Sequence, residues 1–191
     1  MDATVLDVVK GNFALNHRRL LKSVEDLTDE QLLWRPTPTS HSIGFELWHA
    51  ARANDGLAVR LSTLTPALRE RVGALEQIWT AEGLAAAWNL EPTLLGRNQS
   101  GSGMDDEAAA AVRLPGKSVL LDYARRACAA SERVVNAIDD TDAVTMVQTG
   151  GGWPGDQVVI WYVIFYYGHD DWALGYIAAL RRAQGLTRFE A

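Results

Sequence analysis

The chain has 191 residues, of which 48% are hydrophobic and 22% charged, a composition typical of a globular protein. This length predicts one domain, residues 1–191, large enough to bury a substantial core. The formal net charge of −6 argues against a nucleic-acid backbone or an anionic membrane as the main partner, so we expect neither.

The sequence also indicates a location. Its one cysteine, Cys128, excludes an internal disulfide framework and fits a reducing compartment. Met1, Asp2 and Ala3 lack the basic start of a signal peptide, so none is predicted. The apolar run from Val158 to Tyr167 is about half of the ~20 residues that span a bilayer. We therefore expect a cytoplasmic protein.

The first predicted helix runs from Ala3 to Val24. Apolar residues recur there at the three- and four-residue steps of one helix face, and His17 falls in a gap of that stripe, so its side chain should face inward or lie at the edge. Next, Thr28 and Gln31 have the spacing of a capping box, which predicts a short helical turn.

The second predicted helix runs from Ile43 to Leu64, with Ser42 as its N-cap. His49 lies beside the apolar row of this helix. His41 precedes the helix in a polar loop, and we expect it at the surface.

The middle of the chain has a weaker pattern. Ala67–Trp79 is predicted as a helix or helical turn, Asn98–Gly103 as a loop, and Asp105 as the start of a short helix. A third long helix is predicted over Ser118–Ile138, and a flexible turn over Gly150–Gly155.

The last predicted helix, Gln157–Gln184, is apolar on most sides, which is typical of a helix surrounded by other elements. It contains His169 and ends with two arginines, before Gly185 at the position of a C-terminal cap. Strand alternation is not visible anywhere. Four long helices with irregular connections predict an all-α four-helix bundle.

Three histidines are the candidates for chemistry, because the sequence has no phosphate-binding glycine motif and no serine nucleophile elbow. Cys128 lies mid-helix among alanines, as a small core residue does. His17, His49 and His169 lie on or beside inner faces of three different helices. Helical bundles build metal sites in this way, although a lone inward histidine is more often structural.

Four segments sharpen this interpretation: Leu27–Pro36, Ser42–Ala53, His169–Ile177 and Leu180–Gly185. Together they resemble the DinB-like (DinB/YfiT-like) family, and the resemblance covers nearly the whole chain. It implies an up-down-down-up four-helix bundle and a homodimer. It also implies a divalent metal ion, with one histidine ligand on the second long helix and an HxxxH pair on the fourth.

Carried over to this chain, the resemblance makes His49 and His169 metal ligands, with zinc or nickel as the expected ion, but it places Ala173 where the third ligand should stand. Three explanations stay open. Another side chain completes the site, or the metal binds weakly through two histidines and water, or the metal has been lost and the pocket is vestigial or reused. The candidates for the missing ligand are, in order, His17, Glu46 and Asp170.

The resemblance also suggests a function. Similar proteins include thiol-dependent transferases and isomerases, in which the metal activates a low-molecular-weight thiol. We therefore expect a metal-dependent enzyme with a small-molecule substrate or thiol partner, and no cofactor-binding residues besides those of the metal site. The alternative is a metal-free family member that serves as a small-ligand-binding or interaction module. The sequence identifies no catalytic residue beyond the metal site.

Overall fold

The computed structural model describes residues 3–148 and 155–187. Helices dominate both segments. In chain order the elements are α1 (Val5–Glu25), α2 (Asp29–Leu33), α3 (Ile43–Ser62), α4 (Pro66–Val72), α5 (Ile78–Ala81), α6 (Leu84–Ala87), a 3-10 turn (Pro92–Leu94), α7 (Asp106–Ala111), α8 (Lys117–Ala137), α9 (Asp140–Ala143), β1 (Met146–Val147), β2 (Gln157–Val158) and α10 (Val159–Ala183). The long helices α1, α3, α8 and α10 form the predicted bundle.

Helix α1 lies between α8 and α10. Lys10, near the start of α1, donates to the carbonyl of Ile138, just beyond the end of α8, so these two helices are antiparallel. Arg181, near the end of α10, pairs with Asp26, just beyond the end of α1. Helices α1 and α10 are therefore parallel.

Helix α3 lies opposite α1 and completes the bundle. Thr65, after the end of α3, donates to Asp142, after the end of α8, so α3 and α8 are parallel. Arg60, late in α3, donates to the hydroxyl of Tyr162, early in α10, so these two are antiparallel. The predicted all-α fold and its up-down-down-up order are confirmed.

The helix ends follow local chemistry. The predicted caps Thr28 and Ser42 each accept a hydrogen bond from a backbone N–H of the first turn. Asp105, at the predicted start of a short helix, does the same as the cap of α7. Helix α3 ends at Ser62 rather than at the predicted Leu64. Pro66 occupies the first turn of the next helix, and a proline disfavours helical conformation in the residue before it.

The start of the last helix corrects the prediction. Gln157 and Val158 pair with Val147 and Met146 in a two-stranded antiparallel ladder, and α10 begins only at Val159. The sequence shows no alternation in this pair of strands, because two residues are too few for alternation to be visible. The turn predicted over Gly150–Gly155 lies outside the described residues, apart from Gly155 itself.

A buried polar layer divides the core into two apolar halves. One half contains Trp48 and Tyr123 and lies towards the start of α3, whereas the other contains Phe13 and Leu61 and lies towards its end. The polar side chains between them come from all four long helices, and the layer comprises Asn16, His17, Asn54, Ser131 and Asp170. Buried polar groups are stable only when hydrogen-bonded, so this layer fixes how the helices align.

Within residues 3–148 and 155–187, none of the helices combines the length and the apolar character needed to cross a membrane.

Candidate metal centre

His17 is fully buried at the centre of the polar layer. Its Nδ1 lies 2.7 Å from Oε1 of Glu132, and its Nε2 lies 3.0 Å from Oδ1 of Asn54 and 3.2 Å from Oδ2 of Asp170. Burial by itself lowers the pKa of His17, but the hydrogen bonds to Asp170 and Glu132 outweigh it and raise the pKa to about 9. At neutral pH, His17 is therefore an imidazolium whose two N–H groups are both used.

Asp170 links His17 to the neighbouring histidine on α10. Its carboxylate accepts from Nδ2 of Asn54 at 2.9 Å as well as from His17. Burial alone would raise the pKa of Asp170, yet hydrogen bonds from His169, His17 and Asn54 hold it below the ordinary value. The buried carboxylate is ionised and balances the charge of His17.

His49 and His169 meet across the gap between α3 and α10. Their Nε2 atoms are 3.0 Å apart. Nδ1 of His49 lies 2.5 Å from the carbonyl oxygen of Ser100. Since a carbonyl only accepts, this nitrogen must carry the proton. Burial lowers the pKa of His49, so its ring is neutral, and the lone pair of Nε2 points at His169.

Two neutral rings at His49 and His169 have one N–H group too few for the contacts that their nitrogens make. If His169 donates Nε2–H to His49 as a neutral ring, its Nδ1 has no proton, yet that nitrogen lies 3.5 Å from Oδ1 of ionised Asp170. A second proton on His169 removes this conflict, and so does a cation between the two Nε2 atoms.

A metal ion fits this geometry. Two imidazoles on one tetrahedral zinc ion, each with a Zn–N bond of ~2.0–2.1 Å, have nitrogens about 3.3 Å apart. The observed 3.0 Å is close to that value. Metal-bound histidines also usually donate their other N–H to a carbonyl or carboxylate. Here the Ser100 carbonyl lies beside Nδ1 of His49, and the Asp170 carboxylate lies beside Nδ1 of His169.

His41 is closer to this centre than predicted. We expected it at the surface, but its side chain is only 30% exposed and Nδ1 lies 2.7 Å from Oε1 of Glu46. Its ring packs on Phe45, with centroids 4.3 Å apart, and the Phe45 ring is nearly parallel to that of His49. The four-residue spacing of these three rings in the sequence was the signal that could have shown this.

The predicted loop, Asn98–Gly103, covers His49. Gly101 has φ +86°, and a Cβ there would lie 2.9 Å from the ring of Phe45 and 3.4 Å from Nδ1 of His49. Only a glycine permits so close an approach with this backbone conformation. Sequence reasoning identified the loop but not its contact with the site, because fifty residues separate it from His49.

The comparisons with known proteins agree with this fold. The pattern of the DinB superfamily matches residues 12–177. The chain belongs to the DinB superfamily. A crystal structure of a conserved protein from Enterococcus faecalis superposes with a TM-score of 0.70, covering 95% of this chain and 97% of the other, at 16% sequence identity. At that identity the likeness concerns the fold alone. No functionally curated protein matches the sequence.

The third ligand expected from the DinB-like pattern is not supplied at its usual place. Ala173, one turn after His169, is buried and has only a methyl group. In the parts of the chain that the structure describes, no group of three or more His, Cys, Asp or Glu side chains could hold a metal ion. The three candidates for a replacement each have another partner: His17 with Glu132, Glu46 with His41, and Asp170 with Asn54.

Proposed function

We propose that His49 and His169 together bind one divalent metal ion, zinc or nickel, and that this DinB-superfamily protein is a metal-dependent enzyme. The observation that supports the proposal is the 3.0 Å separation of the two Nε2 atoms together with the missing donor between them. His17 is a ligand only if it loses a proton and leaves Glu132 or Asp170. In this proposal it therefore acts indirectly, through its hydrogen bond to Asp170 beside His169.

The proposed reaction is a transfer or isomerisation that uses a low-molecular-weight thiol, as in similar members of the family. A bound divalent ion lowers the pKa of a coordinated thiol or water and so provides a nucleophile at neutral pH. In the proposed site the Ser100 carbonyl holds His49 in the tautomer that can coordinate, and Asp170 does the same for His169. With only two protein ligands, the remaining positions are left to solvent, thiol or substrate, and binding should be weaker than at a three-histidine site.

Metal loading tests this proposal. Protein purified without a histidine tag is loaded with zinc or nickel and dialysed, and its metal content is measured by elemental analysis. We expect about one ion per chain, together with a metal-dependent rise in melting temperature. Both should disappear in His49→Ala and in His169→Ala, but not in His41→Ala, the matched control for loss of an imidazole beside the pair.

The alternative is a metal-free binding or interaction module, and Ala173 is the observation in its favour, since a methyl group cannot coordinate. It requires that the loaded protein hold no metal above background. A small-molecule ligand that raises the melting temperature equally in the unsubstituted protein and in His49→Ala would then support the module and refute the metalloenzyme.

A further inference from the structure

We infer that Arg52 is the positioning residue of this centre: it locks the loop over His49, so that the Ser100 carbonyl holds the His49 ring with Nε2 turned to His169. The inference deepens the proposed function, and rests on it for the role of the histidine pair. Three observations support it. His49 and Arg52 together bind three successive loop carbonyls, the guanidinium is anchored, and Arg52 lies one helical turn from His49.

Three consecutive carbonyls of the loop accept hydrogen bonds from one turn of α3. Arg52 donates from Nη2 to the carbonyl of Asn98 and from Nε to that of Gln99, both at 2.9 Å. The next carbonyl, that of Ser100, accepts from Nδ1 of His49. Residues three apart on a helix lie on the same face, so His49 and Arg52 bind the loop side by side.

The loop backbone needs such support. Asn98 and Gln99 have φ values of +55° and +52°, in the left-handed region that non-glycine residues rarely occupy. Conformations of this kind persist only where the surroundings fix them. Arg52 contacts the carbonyls of these two residues, and Gln99 is held again by the Trp79 indole, which donates to its side-chain oxygen at 2.7 Å.

The guanidinium itself is firmly anchored. Arg52 is only 3% exposed, and its Nη1 lies 3.2 Å from both Oδ2 of Asp55 and the hydroxyl of Tyr123. Its Nη2 also donates to Oε1 of Gln77, and its Cζ lies 4.8 Å from the ring centroid of Trp79. A lysine keeps the charge but lacks the planar fork that reaches all these acceptors. Arg52→Lys should therefore release the loop.

The test reads the tautomer of His49 directly. Metal-free protein with nitrogen-15 in its histidine rings is compared with Arg52→Lys near neutral pH by long-range proton–nitrogen correlation. We expect His49 in the unsubstituted protein to carry its proton on Nδ1, and to lose this preference in Arg52→Lys. Zinc affinity should fall about tenfold or more, as when the hydrogen-bond partner of a metal-bound histidine is removed.

Arg181→Lys is the matched control. Arg181 is also fully buried and binds a backbone carbonyl, that of Ser23, and a carboxylate, that of Asp26, but at the far end of α10. This variant should lose stability without changing the His49 spectrum or the zinc affinity. If Arg52→Lys keeps the proton on Nδ1 and binds zinc unchanged, or if Arg181→Lys alters both as strongly, the inference is wrong.

A second variant covers the case in which Arg52→Lys does not fold. Gly101→Ala displaces the same loop but leaves the pair of Arg52 and Asp55 intact, so it too should release Nδ1 of His49. Retention of the Nδ1 proton in Gly101→Ala would overturn the inference. The ring spectrum is read without metal. Failure of the unsubstituted protein to bind zinc would therefore refute the proposed function, and the spectrum would still decide the role of Arg52.

Discussion

Two histidine side chains with the same intrinsic chemistry have different charges here because of the atoms around them. His17 lies between two carboxylates and is charged, whereas His49 faces a carbonyl and is neutral. A cation at His17 would have to displace a proton that the imidazolium donates to Glu132 or Asp170, whereas His49 already presents a lone pair. The difference explains why inward position alone, which the sequence reveals, does not identify a ligand.

Individual site residues could be predicted from the sequence only where the family resemblance marked the position. His49 and His169 were selected by motif, and the structure brings their Nε2 atoms together. Ser100 and Arg52 were not predicted as site residues. Ser100 acts through its backbone carbonyl, which has no side-chain identity, and Arg52 lies in a segment that resembles the family without being marked there as a ligand.

Ala173→His should rebuild the HxxxH pair. His169 and position 173 are four apart and share one face of α10, so we expect zinc affinity to rise by about tenfold or more, ~1.4 kcal/mol. Without metal the variant should be less stable by about 1–3 kcal/mol, because residue 173 is packed in the core. Competition titration with a zinc chelator and thermal unfolding with and without zinc measure the two effects.

Ala179→His is the control for this change, since residue 179 lies on the exposed side of the same helix. This variant adds an imidazole to the surface of α10, away from His49 and His169. Equal zinc affinity in both variants would mean that position 173 does not face the ion.

At the scale of elements, the long helices were predictable and their connections were not. Apolar periodicity located α1, α3, α8 and α10 to within two residues at either end, because each buries a continuous stripe. The two-residue strands depend on pairing with each other. The loop over His49 depends on Arg52. Neither interaction leaves a periodic pattern.

The polar layer that joins the four helices should make stability depend on pH. Since the pKa of His17 is about 9 in the folded chain and 6.5 without its partners, its contribution is complete below pH 6.5 and is lost as the pH rises through about 9. We expect the free energy of unfolding to fall by about 3 kcal/mol across this range. Urea denaturation at a series of pH values measures it.

His17→Gln isolates that contribution from the other titrating groups. The variant should be less stable at pH 6.5, and the gap between it and the unsubstituted protein should narrow as the pH approaches 9. A gap that stays constant, or widens, would show that His17 is not held as an imidazolium.

At the scale of the whole molecule, the topology was predictable because the resemblance covered nearly the whole chain, and the pattern of the DinB superfamily matches most of it.

The homodimer that the family implies stays a prediction. Exposed apolar residues on α10, among them Ile164, Trp172 and Tyr176, are the surface we expect a second copy to cover.

If His49 and His169 are metal ligands as we propose, one cation lies between the second and fourth long helices of the bundle. Anomalous diffraction at the zinc edge, from crystals grown with zinc, would locate it. We expect one strong peak within bonding distance of Nε2 of both His49 and His169, and no such peak in His169→Ala. Density showing the two rings hydrogen-bonded directly to each other, with zinc elsewhere or nowhere, would contradict the claim.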